Sequence, residues 1–179
     1  MSTEDSTNSK GIGNRRCPIA AELKPDQLPF AIQDSREQLP VNLDPWRVEV
    51  GTLATGDYSV RGLEHVIAIE RKSADDMLGC IGTERARFDR EVQRLKAYEV
   101  RAIVVEADWP FFERGEWRSK VTSAAAMGSL LGWITAGIPI VMTGDHERAG
   151  RFISKILYTA VRRRWRELRA LASNMEAAR

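Results

Sequence analysis

Along most of the chain apolar residues recur either at every second position or at every third and fourth, and the two periods alternate. Residues 65–72 (HVIAIERK) run with a period of two: Val66, Ala68, Glu70 and Lys72 fall on one face of a strand, and Ile67, Ile69 and Arg71 on the other. Glu70 and Lys72 therefore leave the end of an apolar strand in the same direction. Residues 30–34 read as an earlier strand, and residues 46–50 as a second with Trp46, Val48 and Val50 inward. Residues 57–60 form a short strand that pairs with 65–72 as a hairpin, through a turn at residues 61–64. The continuous apolar run at 101–108 predicts a central strand. Residues 138–142 predict another, and Pro139 puts it at a sheet edge.

Helical spacing fills the intervals. Residues 73–81 predict a short helix with Ser73-x-x-Asp76 as its capping signal. In residues 83–98, Phe88, Val92 and Leu95 mark the buried stripe, while Arg85, Arg87, Arg90, Arg94 and Lys96 crowd the other face. Those bases either follow a DNA backbone or pair with the interleaved Glu84, Asp89 and Glu91. Residues 109–117 read as a loop whose four aromatics pack over the sheet or wedge against bases. Residues 122–136 predict a small-residue helix with Met127, Leu130, Leu131 and Ile134 inward. The last element is one long helix capped by Asp145 and apolar at Ala149, Phe152, Ile153, Ile156, Leu157, Val161, Trp165 and Leu168. The order of elements predicts an α/β fold, a mixed central β-sheet flanked by α-helices, with its site at the strand ends.

Composition narrows the setting. The 179 residues, 43% hydrophobic and 29% charged, suffice for one domain with a full core. The expected division is a disordered leader at 1–16, a domain at 17–170 and a C-terminal tail at 171–179. Cys17 and Cys80 lie far apart without metal-ligand spacing, which fits a reducing cytoplasm with Cys80 as a small core residue. No apolar run is long enough to span a membrane, and the polar N-terminus has no signal-peptide core, so no membrane partner is expected. The formal charge of +2 hides an asymmetry, because residues 162–179 hold six Arg against two Glu and leave the rest of the chain net acidic. Arg162, Arg163, Arg164 and Arg166 are candidates for DNA phosphate contacts; a solvated helix face is the alternative.

The chemistry concentrates at the hairpin. It brings the Asp57 carboxylate beside that of Glu70, and two carboxylates so placed repel unless one takes a proton or a divalent cation bridges them. All-oxygen ligation suits Mg2+ or Mn2+. Lys72, on the Glu70 face, orients an attacking water and offsets charge on a phosphate. An E-x-K strand is also the pattern of a solvated surface ladder; the apolar Ile67 and Ile69 and the helix start at Ser73 set this one apart. Asp34, Arg36 and Glu37 end the first strand as either the other half of a metal or phosphate site or a turn with an internal ion pair. His65 and His146 are lone histidines and read as structural or exposed.

Taken in order, Asp34-x-Arg36-Glu37, Gly56-Asp57-Tyr58 and Glu70-Arg71-Lys72 followed by Asp76 resemble the nuclease domain of the XPF family of structure-specific DNA endonucleases. That family's signature is G-D, a variable gap, E-R-K, three residues and D. The resemblance covers roughly residues 28–160. It implies a restriction-endonuclease-like core, Mg2+ or Mn2+ at Asp57 and Glu70 with Asp34 nearby, and roles for Arg36, Glu37, Arg71, Lys72 and Asp76 around phosphate and metal. It further implies DNA as partner and a homodimer through the nuclease domain. Many members add a tandem helix-hairpin-helix module or a helicase region; this chain has room for neither and resembles the compact, stand-alone version of bacteria and phages. The expectation is a metal-dependent DNA endonuclease that cuts branched or structured DNA in repair or recombination. The alternatives are a junction resolvase or exonuclease on the same core, or a DNA-binding scaffold without activity.

Overall fold

The computed structural model, which describes residues 19–177, builds one six-stranded sheet. Its strands are β1 (Ala31–Asp34), β2 (Val48–Gly51), β3 (Tyr58–Val60), β4 (Ile67–Lys72), β5 (Val100–Val105) and β6 (Ile140–Met142), in the spatial order β2-β1-β3-β4-β5-β6. The leader at 1–16, Cys17 and the last two tail residues lie outside the described residues. β3 pairs antiparallel with both β1 and β4, as the hairpin predicts, while β4, β5 and β6 run parallel. Parallel neighbours need long crossovers, and α1 (Ala74–Ile81) with α2 (Arg85–Leu95), then α3 (Trp109–Arg114) with α4 (Ser123–Thr135), supply them. α5 (His146–Ala177) follows β6 and runs unbroken past residue 170.

β4 is apolar on both faces because it is sandwiched. Ile67 and Ile69, with Tyr58, Val60 and Val104, pack against Ala149, Ile153 and Leu157 of α5. On the opposite face Ala68, Ile103 and Val105 meet Met77 of α1, the expected stripe Phe88, Val92 and Leu95 of α2, and Leu130 and Trp133 of α4. Cys80 is buried in this second core. Strands β4 and β5 thus end side by side between two helical layers, with Lys72 paired to Val105 at the carboxyl end. Among the described residues no helix is long and apolar enough to cross a membrane.

Three expectations need correction. Val48 and Val50 are exposed, at 43% and 63%, and only Trp46 goes inward. β2 is an edge strand, and α5 packs chiefly over β3, β4 and β5, so among the described residues the apolar positions of β2 are left uncovered. In α4 the buried stripe is Ala126, Leu130 and Trp133, while Leu131 and Ile134 face outward. Trp133 wins the inward position because its ring meets Phe88 edge-on at 5.0 Å and its indole N–H reaches Asp89. Residues 109–114 are helical rather than a loop: Asp108 caps the helix, and Gly115, at φ 71°, ends it. Its aromatics are packed on the second core with Trp117, Phe112 being fully buried, which leaves them unsuited to wedge between bases.

Candidate active site

Asp57 is delivered to β4 by backbone geometry. Gly56 sits at φ 80°, and a Cβ there would lie 3.0 Å from the Ile69 carbonyl oxygen, so only glycine lets the chain come this close. The next N–H, that of Asp57, donates to Ile69 O at 2.8 Å. The Asp57 carboxylate then accepts the main-chain N–H of Arg71 on Oδ2 at 2.7 Å. Glu70 follows Ile69 on β4 and is 1% exposed. Its Oε1 accepts from the Lys72 ammonium, which also lies 5.7 Å from the centre of the Phe88 ring. Its Oε2 is buried and has no hydrogen-bond partner among the described residues.

Charge at the pair is poorly tolerated in this form. Burial, and then the neighbouring Asp57, push the Glu70 carboxyl well above the usual carboxylate range, against the pull of Lys72. Burial likewise raises Asp57, opposed by Lys72 and the Arg71 N–H and reinforced by Glu37 and Glu91. For Lys72 burial works against the charge, yet Glu70 and Asp57 outweigh it and keep the ammonium protonated above the usual lysine range. Two acids that resist ionisation together, one with an orphaned oxygen, form a site short of positive charge.

The remaining predicted residues divide. Arg36, Glu37, Arg71, Lys72, Ser73 and Asp76 line an open cleft of about 350 Å3 with Asp57. Asp76 belongs to the first turn of α1, where its N–H is capped by Ser73 Oγ and its Oδ2 accepts the Ser73 hydroxyl. Asp34 does not join the pair. Its Oδ1 accepts from Arg36 N and Nε at 2.9 and 2.7 Å, its Oδ2 from Arg36 Nη2 and Leu53 N at 3.0 and 2.7 Å, and no lone pair is left for a cation. Burial alone would raise its carboxyl, but these bonds hold it at about 2. Among the described residues no group of three or more His, Cys, Asp or Glu is arranged to hold a metal, and the bonds of Asp34 leave it apart from Asp57 and Glu70.

Arg71 is also placed differently from a phosphate contact. It is 8% exposed on the α5 face, with Nε and Nη2 on Glu37 and Nη1 on Glu106, the residue after β5. Glu106 meets His146 as well, which makes that histidine structural, though not lone. Sequence reading missed Glu106 and Glu91. Glu91 lies one turn after Phe88 on α2 and acts electrostatically on Asp57, Glu70 and Lys72; its place beside the Phe88 stripe was the available signal. The basic end of α5 is elsewhere. Arg163 and Arg164 both bond Glu99, which precedes β5 at the end opposite Lys72, about 20 Å away at the rise of a strand. Arg162 and Arg166 flank Trp165 beside residues 21–23. The structure does not bring these four arginines to the cleft.

The donor set fits a hard divalent cation. Two carboxylates, Glu70 with an unpartnered buried oxygen and Asp57 on the wall of an open cleft, match the sparse protein ligation of Mg2+ or Mn2+ at phosphate-handling sites.

The family model described as the ERCC4 domain matches residues 26–156. No curated protein matches the chain in sequence. Among solved structures, XPF from Aeropyrum pernix is similar with a TM-score of 0.62 and 23% identity, over 75% of this chain and 62% of that one. A second, XPF from Aeropyrum pernix in complex with DNA, is similar with a TM-score of 0.61 and 22% identity, over 74% and 65%. The chain thus spans just under two thirds of the solved chains it matches. The likeness shows the restriction-endonuclease-like fold.

Proposed function

The chain belongs to the ERCC4 domain family, and from that premise we propose that it is a divalent-metal-dependent DNA endonuclease that cuts branched or structured DNA in repair or recombination. The observation that carries the reading is Glu70 Oε2, a buried carboxylate oxygen without a partner, next to the Asp57 carboxylate and the Lys72 ammonium. Asp57 and Glu70 would hold the cation. Bound there, Mg2+ or Mn2+ supplies Lewis acidity and charge neutralisation at the scissile phosphodiester. Lys72, fixed by Glu70 and by the Phe88 ring, presents positive charge to the phosphate as charge develops on it. Arg36 holds its Nε and Nη2 on Asp34 and remains 69% exposed at the lip of the cleft, leaving Nη1 for a phosphate oxygen. Glu37 clamps Arg71, and Ser73 with Asp76 fixes the start of α1 along the cleft wall.

DNA bound in complex by a structural relative supports DNA as the partner here. The homodimer and the cytoplasmic setting belong to the same reading, and sedimentation of the purified chain tests the former. The reading is tested by incubating the chain with duplex, single strand, flap, fork and four-way junction, each with magnesium, manganese or chelator. Internal nicks that need the metal support it, symmetric paired nicks or mononucleotides redirect it to a resolvase or exonuclease, and binding without any cleavage overturns it.

A further inference from the structure

We propose that Glu106, oriented by His146, is a positioning residue that acts through Arg71 to hold the Asp57 carboxylate; the inference rests on the reading of Asp57 and Glu70 as cation ligands. The argument begins at Arg71, whose side chain and main chain do different work. Its guanidinium is committed on both edges, with Nε and Nη2 on Glu37 at 3.0 and 2.9 Å and Nη1 on Glu106 Oε1 at 2.7 Å. A planar fork held on two edges neither rotates nor turns toward a phosphate. Its main-chain N–H meanwhile donates to Asp57 Oδ2 at 2.7 Å. The pairing of β4 with β5 already places this N–H, and the clamped side chain further restrains the residue that carries it at the end of the strand, and with it the donor to Asp57.

Glu106 is placed to do this from three sides. Its N–H donates to Lys72 O at 2.9 Å, one step beyond the last paired residues of β4 and β5. Its Oε1 receives Arg71 Nη1 and also meets His146 Nδ1 at 2.6 Å, where the imidazole must be the donor because a carboxylate only accepts. His146 is the first residue of α5. One carboxylate thus ties the ends of two strands and the start of a helix at the catalytic edge. Glu37 alone would balance the Arg71 charge. A second carboxylate, only 10% exposed, adds desolvation cost and net negative charge, which is the pattern of a group kept for orientation.

Outer residues of this kind typically change metal affinity about 10- to 100-fold when altered. The test measures manganese affinity of the whole chain by electron paramagnetic resonance without DNA, together with Tm, for wild type, Glu106→Gln, His146→Ala and the core control Leu157→Ala. Gln keeps the volume and an acceptor, so the fold is retained. Glu106→Gln should weaken manganese binding about tenfold, His146→Ala less, and Leu157→Ala should lower Tm without changing affinity. Wild-type affinity in Glu106→Gln, or an affinity loss in Leu157→Ala that matches its loss of Tm, overturns the inference alone. Wild-type protein that binds no manganese overturns the cation reading and this inference with it.

Discussion

Glu70 and Lys72 leave β4 on one face, and the ammonium engages Oε1 of the carboxylate while Oε2 stays without a partner. On the proposed reading, a cation at Oε2 and the ammonium at Oε1 would share the one carboxylate.

Replacing that ammonium separates catalysis from binding. Preorganised charges at such positions contribute about 2.7 to 4 kcal/mol to a transition state, so Lys72→Ala should reduce cleavage roughly 100- to 1,000-fold. DNA affinity should change far less, since a duplex is held by many backbone contacts. Wild-type cleavage rates at saturating metal, in an assay that chelator abolishes, would defeat the assignment.

Asp57 is expected to impair stability where it enables function. Its carboxyl is raised in the fold above its unfolded value, so without metal its contribution is most favourable at acid pH and worsens as pH rises from the ordinary carboxylate range through the folded pKa. Asp57→Asn keeps an acceptor for the Arg71 N–H and removes the repulsion. In chelator at pH 8 the variant should unfold a few degrees higher than wild type, with the gain shrinking toward pH 4, and it should not cut DNA. A lower Tm at pH 8 counts against the electrostatic account.

Protons and cation compete for the pair. Because burial and mutual repulsion raise both carboxyls, Glu70 further than Asp57, manganese must displace a proton from the pair to bind, and affinity should fall as pH drops from 8 to 6. One displaced proton corresponds to about tenfold per pH unit. Affinity measured by titration that is flat over this interval would mean that the carboxylates are already ionised.

The arginines at the far end of the sheet should be dispensable for the cut. Arg163 and Arg164 are tied to Glu99, away from the cleft. Replacing Arg162, Arg163, Arg164 and Arg166 together with Gln should leave the salt dependence of DNA binding unchanged, whereas removing a true phosphate ligand lowers the slope by roughly 0.9. A slope reduced by several units would return this helix end to the DNA footprint.

The parts of the site that could be read in advance are those made locally. Alternation along β4 fixes the common face of Glu70 and Lys72, and the Gly56-Asp57 step with one hairpin brings the second acid across. Helix starts at Ser73 and Asp145 were also legible, because capping is a relation between residues three apart. Glu106 and His146 were not, since their bonds to Arg71 and to each other span 35 and 40 positions and depend on how α5 lands on the sheet. At Asp34 the turn with an internal ion pair to Arg36 was legible, but the filling of its last lone pair was not, because the Leu53 N–H comes from a loop 19 residues on. Val48 and Val50 misled for a related reason: alternation reports two faces but not whether a helix covers either.

That uncovered strand governs behaviour in concentrated solution. β2 is a four-residue edge with two exposed valines, and its open row of backbone donors and acceptors is a template for an added strand. Its brevity and the Glu49 carboxylate, paired with Arg61, limit such growth. The edge is remote from the chemistry in role, so Val50→Lys should raise solubility and slow turbidity on heating while cleavage stays at the wild-type rate.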